Sequence, residues 1–332
     1  MQEFRERFFY HSFPRRGASS NEEIGKGKQI LAAIRDFGLV LTPQLIEWVQ
    51  PTIAGSQRVL PVFQKRVCFT ELSPSELAGH AERFGHFSLE FEIFSVRQLG
   101  AVPVFYVPQP IAEATDGSLV GAALVAIASD MRAVMERISA LHEVLHGQMP
   151  VNKELNVKFG FFNNPDGVRD FLIDRDEAKN LLAAIGNEVT PWNNLAVGAN
   201  ALLAFFHPTD NKKTDVALEY YREREWRIAA GLFIRGSGDQ PDTNLLRVLS
   251  ASERQRLLAI DEEFFSRRVQ TGLGEADTLD ETLVLPGLRS TSIMQMVRRV
   301  IVPAIAVSEV VELLSDLRNP PPVVGLEELA HK

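Results

Sequence analysis

Residues 220–228, with the sequence YYREREWRI, constrain the fold most, because five of these nine residues are charged and the apolar segment AAGLFI follows directly. The change from charged to apolar side chains predicts a β-strand that begins at the surface and ends in a core. Side chains alternate between the two faces of a strand, so Glu223, Glu225 and Arg227 would share one face. Trp226 would lie on the opposite face. The two carboxylates either form half of an active site or belong to a solvated edge strand in which Glu and Arg side chains pair.

The apolar pattern elsewhere in the chain predicts both strands and helices. Alternating or β-prone segments predict strands at 8–13, 67–72, 87–93, 102–107 and 297–302. Helical spacing of apolar residues predicts helices at 28–37, 252–268 and 308–317, with a short helical piece around 45–49 and a loop at 15–27. Ser73, Pro74 and Glu76 predict a capped helix that ends near Gly85. Ser252 is the predicted cap of the helix at 252–268.

These elements favour a mixed α+β fold in which a helical insertion interrupts the core. Residues 1–117 would form the N-terminal half of the core, and residues 211–332 the C-terminal half with the Glu225 strand. Residues 118–210 would form the insertion, because the apolar residues from 118 to 147 follow one helical stripe.

The charge balance and the cysteine content narrow the class of protein. A net charge of −8 over 332 residues argues against nonspecific binding of nucleic acid through the overall charge of the protein. The single cysteine, Cys68, excludes an internal disulfide and suits a reducing compartment. The charged N-terminus has no secretory pattern, and no apolar run approaches membrane-spanning length. We therefore expect a cytoplasmic protein that does not enter the membrane.

The sequence His142-Glu143-Val144-Leu145-His146 fits the H-E-x-x-H pattern of zinc hydrolases. On a helix the two histidines would share a face, with Glu143 as a base. However, Gly147 and Pro150 end that helix at once, and no further histidine follows nearby as a third ligand. We therefore expect no metal, and interpret the histidines as a surface pair near a helix C-terminus, where the helix dipole favours positive charge.

Six short segments carry a resemblance to a known family: YHS at 10–12, VCFTE at 67–71, FGHFSLEF at 84–91, GAVPVFYV at 100–107, EREWRI at 223–228 and VIVP at 300–303. Together they resemble the AbiGi-like abortive-infection proteins of bacteria, which are phage-resistance components. The resemblance covers most of the chain outside the insertion. It implies a phage-defence protein, with a cognate antitoxin or toxin as a possible partner.

A more distant resemblance is to the ADP-ribosyltransferases. In that superfamily an early strand offers a His or Arg to the NAD ribose, a second strand an aromatic segment to nicotinamide, and a third strand a Glu. The matching positions are His11 with Ser12, Phe69 with Thr70, and Glu225. Phe69 departs from the more frequent Tyr. The resemblance implies NAD as substrate and RNA, DNA or protein as acceptor.

The chemistry of the cleaved bond gives each matching residue a role. Breaking the nicotinamide–ribose bond develops oxocarbenium character, which the Glu225 carboxylate would stabilise. His11 would bind the ribose without a fixed charge, and Phe69 would stack on nicotinamide. The resemblance also implies that Glu223, at the first position of the E-x-E pair, would orient the acceptor, as that position does in some branches of the superfamily. The strands that carry His11, Phe69 and Glu225 should then converge on one cleft.

Two alternatives stay open. A non-catalytic antitoxin or sensor could keep the same fold without using NAD, and a zinc hydrolase could be built on His142 and His146.

Overall fold

The computed structural model of the chain describes residues 7–14, 20–51, 57–108, 154–161, 164–174, 176–177, 179–180, 203, 205–209, 224–230, 246–271 and 274–329. Within these residues the fold is mixed α+β.

The strands of the described residues are, in chain order, β1 (Phe8–Phe13), β2 (Leu39–Pro51), β3 (Gln57–Leu72), β4 (Phe87–Phe91), β5 (Val102–Pro103), β6 (Phe105–Pro108), β7 (Glu154–Phe161), β8 (Asn164–Asp174), β9 (Phe206–Thr209), β10 (Glu225–Ala229), β11 (Arg247–Val248), β12 (Arg268–Thr271), β13 (Gly274–Asp277), β14 (Leu283–Leu285), β15 (Gly287–Leu288), β16 (Thr291–Ser292), β17 (Val297–Val302) and β18 (Val323–Gly325).

The α-helices of the same residues are α1 (Ser20–Phe37), α2 (Leu77–Phe84), α3 (Ile93–Gln98), α4 (Ala251–Ile260), α5 (Glu262–Phe265), α6 (Thr278–Glu281), α7 (Ile293–Met296), α8 (Val307–Leu314) and α9 (Leu326–Leu329). None of them is long and apolar enough to cross a membrane.

A ten-stranded sheet organises the molecule. Eight strands follow the order β11-β14-β2-β3-β1-β4-β17-β18, and β10 and β5 extend the sheet from β3. Neighbours are antiparallel apart from the parallel pair β17 and β18. The early strand β1 therefore lies between β3 and β4, in the middle of the sheet.

The sheet divides at β3. The C-terminal end of β3 pairs with β1 as far as Thr70, whereas its N-terminal part pairs with β2 as far as Arg66. Because β10 pairs with residues 66–70 from the opposite edge, β1 and β2 share one edge of β3. Within the described residues no strand pairs with residues 67–69 on that shared edge. The two branches separate there and leave an opening.

Alternating side chains of β3 and β10 decide which groups face the core. Phe69 and Ile228 are at most 1% exposed and pack in the largest hydrophobic cluster, with Trp226 against it. The neighbouring residues Thr70 and Glu225 point to the other face, as the period of two requires. The charged strand predicted at the surface thus enters the core at its C-terminal end.

Several predicted elements are confirmed. β1 and β17 match their predicted ranges. The Ser73 capping box is present, because Glu76 accepts hydrogen bonds from the Ser73 amide and hydroxyl, each at 2.8 Å. α2 ends at Gly85, whose φ of 112° is one that a residue with a Cβ rarely adopts.

The predicted helix around residues 45–49 is wrong, because this segment belongs to β2. Ten residue pairs, from Thr42 with Arg66 to Pro51 with Gln57, join β2 to β3. The apolar residues Leu45, Ile46 and Val49 fit helical spacing over so short a window, but the long antiparallel partner decides the conformation.

Three further predictions differ from the structure in the extent or type of an element. α1 begins at Ser20, so the predicted loop at 15–27 is partly helical. The long helix predicted at 252–268 ends at Ile260, and its cap is Ser250, whose hydroxyl accepts a hydrogen bond from the Glu253 amide. The range 118–210, expected to be helical, includes the paired strands β7 and β8.

Candidate active site

A polar cavity of about 520 Å³ lies at the opening between β1 and β2. We call it the polar cavity. Four of the six residues predicted to form a site line it, and they come from three strands: His11, Ser12, Thr70 and Glu225. The expected convergence of the His11 and Glu225 strands on one cleft is therefore observed. It follows from β3, which pairs with β1 on one edge and with β10 on the other.

Glu225 is held by a buried arginine. Arg227 Nε donates to Glu225 Oε1 at 2.7 Å, and Arg227 Nη2 donates to Oε2 at 3.1 Å. The Tyr106 hydroxyl donates to Oε2 at 3.3 Å. The Arg227 side chain is 1% exposed and that of Glu225 is 13% exposed. The two-point contact fixes the carboxylate plane while one side stays open to the polar cavity.

The charge of Glu225 is secured by its neighbours. Burial raises the pKa of this carboxyl group, but the charge and hydrogen bonds of Arg227, with a hydrogen bond from the Cys68 thiol, outweigh burial and lower the pKa to about 2. Glu225 is therefore ionised at neutral pH. A carboxylate has about four lone-pair positions, and Arg227, Tyr106 and Cys68 occupy them, so Glu225 would act on a ligand through its negative charge.

His11 occupies the place where β3 lacks a strand partner. Its Nδ1 lies 2.9 Å from the carbonyl oxygen of Cys68. A carbonyl oxygen only accepts, so Nδ1 carries the proton in this contact. Burial lowers the pKa of His11 in spite of this bond, so the ring is neutral at pH 7. Nε2 then has a lone pair that can accept a hydrogen bond from a ligand hydroxyl.

Thr70 connects the Glu225 strand with α2. It is the register partner of Glu225, and its Oγ1 lies 3.1 Å from His80 Nε2. The His80 ring stacks on Phe84 with ring centres 4.3 Å apart. Burial, with a smaller contribution from the charge of Arg83, lowers the pKa of His80 to about 4. A neutral imidazole thus orients the Thr70 hydroxyl at the edge of the polar cavity.

Phe69 does not take the stacking role that was expected of it. The ring is 1% exposed and packs edge-on against Phe91, with ring centres 5.5 Å apart. It faces the core because it alternates with Thr70 along β3, and it is not part of the cavity wall. Ser12 does line the cavity, where its hydroxyl lies 2.8 Å from that of Ser88.

The remaining predicted residues fall outside the described part of the chain. These are Glu223, the proposed acceptor residue, and His142, Glu143 and His146 of the H-E-x-x-H motif. The described residues contain no group of three or more His, Cys, Asp or Glu side chains that could hold a metal ion. The absence of a metal at the motif stays a prediction.

Sequence reasoning placed Arg227 on the face of Glu225 but missed Arg66 and Arg83. Arg66, Arg83 and Arg227 line the polar cavity together with Glu225. The period of two along β3 could have identified Arg66, since it shares a face with Cys68 and Thr70. Nothing in the sequence predicts that Arg83 lines the cavity, because the position of α2 beside the cavity depends on the tertiary fold. Three cations against one carboxylate suit a ligand that carries negative charge, such as a diphosphate.

No family model matches the chain, and no curated protein or solved structure is significantly similar to it.

Proposed function

We propose that the chain is an NAD-dependent ADP-ribosyltransferase that acts in phage defence and cleaves the nicotinamide–ribose bond in the polar cavity. The observation that supports this most is the position of Glu225. An ionised carboxylate with a defined orientation lies at one cavity with His11 and Thr70, which come from two other strands. The phage-defence role is supported by the sequence resemblance alone.

The geometry fits the charge that develops during cleavage. As nicotinamide departs, the positive charge of its ring passes to the ribose, and a fixed carboxylate beside the ribose stabilises this state more than the ground state, in which nicotinamide carries the charge. Glu225 keeps its charge without a proton transfer because its pKa is about 2. His11 Nε2 and the Thr70 hydroxyl can bind ribose hydroxyls, while Arg66 and Arg83 can bind the diphosphate.

The test is release of nicotinamide from NAD, measured with and without total RNA, DNA or lysate protein. Glu225→Gln removes the charge but keeps the size of the side chain. We expect nicotinamide release to fall by roughly 10²–10³-fold, while NAD affinity changes little. Glu223→Gln should spare NAD hydrolysis and impair transfer, because its proposed partner is the acceptor.

A matched control separates chemistry from stability, since Glu225→Gln leaves the buried Arg227 without its carboxylate partner. Glu90 is a second buried carboxylate, bound by Arg299 at 2.6 and 2.7 Å and by Arg298 at 2.9 Å, and it does not line the polar cavity. Glu90→Gln should lower stability but retain nicotinamide release at a temperature where both variants are folded. Equal release by wild type and Glu225→Gln would refute the catalytic role.

A binding protein without catalysis is the second candidate. The observation in its favour is the close Glu225–Arg227 pair, which also serves to hold β10 together. This alternative predicts no nicotinamide release by the wild type with any acceptor.

A further inference from the structure

A second cavity, of about 550 Å³, lies beside the polar cavity. We call it the apolar cavity. The two cavities share four wall residues from β1 and β2: Ser12, Val40, Thr42 and Gln44. The two cavities therefore adjoin along β2. Neither the sequence patterns nor the proposed chemistry assigns any role to this second space.

Besides β1 and β2, the walls of the apolar cavity come from α1, α4 and α5. Ile30, Ile34, Leu257 and Ile260 give it apolar sides. Phe264 also lines the cavity and is partly exposed, unlike the core phenylalanines. Such a wall favours an apolar, flat group over a sugar or a phosphate.

Planar groups at the rim strengthen this preference. The guanidinium of Arg267 lies 4.2 Å from the centre of the Phe264 ring, and Arg267 Nε donates to the Phe264 carbonyl at 3.1 Å. Aromatic rings and guanidinium planes are the groups on which nucleobases stack. Both planes belong to residues that line the apolar cavity.

One carboxylate in the wall can recognise a sugar. Asp261 accepts a hydrogen bond from the Phe264 amide at 2.9 Å and pairs with Lys26. Burial raises the pKa of Asp261, but the bonds from Lys26 and Phe264 outweigh burial and lower the pKa, so the group is ionised at neutral pH. The remaining lone pairs can accept from ribose hydroxyls.

We propose that the apolar cavity binds the second nucleoside of the substrate, with its base against Phe264 and Arg267 and its ribose beside Asp261. This inference rests on the proposed function, which places the reacting ribose in the polar cavity. The substrate is then a dinucleotide whose diphosphate crosses the shared wall, and a mononucleotide fills only half of the site.

The first experiment measures AMP binding to the full-length protein by calorimetry, independently of any reaction. We expect Phe264→Ala to weaken AMP binding by tenfold or more, because one base–aromatic stack contributes about that factor. Phe94→Ala is the matched control, since Phe94 is 74% exposed and lines neither cavity. Glu225→Gln should leave AMP binding unchanged. AMP binding that is absent at about 1 mM, or equal in wild type and Phe264→Ala, would overturn the proposal.

The second experiment compares turnover of NAD with that of nicotinamide mononucleotide. Phe264→Ala should raise KM for NAD about tenfold and leave kcat/KM for the mononucleotide unchanged. If AMP binding depends on Phe264 but the protein does not cleave NAD, the subsite is supported and the transferase function is refuted. If NAD is cleaved and the ratio of kcat/KM for NAD to kcat/KM for the mononucleotide is the same in wild type and Phe264→Ala, the transferase function stands and the subsite is refuted.

Discussion

Arg224 has a backbone conformation that L-amino acids rarely adopt, with φ at 42°. It directly precedes Glu225. Its Nε donates to the Glu71 carbonyl at 2.8 Å, and its Nη2 lies 3.1 Å from Glu76 Oε2. These contacts tie the start of β10 to the end of β3 and to the cap before α2. Arg224 thus joins two walls of the polar cavity, and its backbone sets the direction of the chain where β10 begins at Glu225.

Replacing Arg224 by glycine or by alanine removes the same side-chain contacts. Only alanine retains the Cβ that disfavours a positive φ, so we expect Arg224→Gly to be more stable than Arg224→Ala by about 1 kcal/mol. Arg97, in the helix α3, is the control, and there the order should reverse because glycine is the poorer helix former. Urea unfolding measures both pairs. Equal stability of the two Arg224 variants would show that the backbone there relaxes without strain.

At the scale of the element, caps decide where helices begin. α4 begins after Ser250, whose hydroxyl accepts from the Glu253 amide at 3.3 Å, and Glu253 Oε2 accepts from the Ser250 amide at 2.8 Å. Arg247 also contacts both oxygens of Glu253, at 2.7 and 2.8 Å. The cap therefore fixes the start of α4, which forms one wall of the apolar cavity.

Ser250→Ala should reduce the free energy of unfolding by about 1 kcal/mol, because it removes the acceptor of the cap. Ser252→Ala, at the position predicted from sequence, should have an effect of less than about 0.5 kcal/mol, since among the described residues the Ser252 hydroxyl contacts only the Ser250 hydroxyl, at 3.2 Å. Thermal or urea unfolding distinguishes them. A larger loss of stability in Ser252→Ala than in Ser250→Ala would show that Ser252 is the cap.

The elements that could be predicted from sequence are those whose signals are local. The Ser73 capping box and the apolar segments of β1 and β17 carry their own signals, and all three are observed. The strand β2 was missed because only its pairing with β3 reveals its conformation. In the site, Glu225 could be selected by its face of the strand, whereas Phe69 could not be assigned to core or cavity until its neighbours were known.

At the scale of the whole molecule, buried imidazoles link stability to pH. Burial is the largest cause that lowers the pKa of His11, His80 and His207, to about 4 for the last two. Their ordinary value is 6.5, so the unfolded chain binds more protons than the folded chain between pH 6.5 and 4. Stability therefore falls as the pH drops through this window. Glu225 acts lower, between 4.5 and about 2, where protonation removes the stability that its pairing provides.

We expect the free energy of unfolding to be lower at pH 5 than at pH 7. In His80→Gln this difference should be smaller, because glutamine does not titrate. The comparison of the two proteins isolates His80, since Glu225 and the other carboxyl groups titrate alike in both. Urea unfolding at the two pH values is the measurement. An identical difference in wild type and His80→Gln would mean that the His80 ring is already solvated in the folded protein.

The division of the sheet at β3 has a mechanical consequence. Along residues 67–69 the branch of β1 and the branch of β2 have no hydrogen bonds to each other within the described residues, so the sheet can flex there like a hinge. On the other edge of β3, β10 pairs with residues 66–70 and so limits bending at this hinge. The strand that carries Glu225 therefore also sets how wide the cleft in front of Glu225 can open.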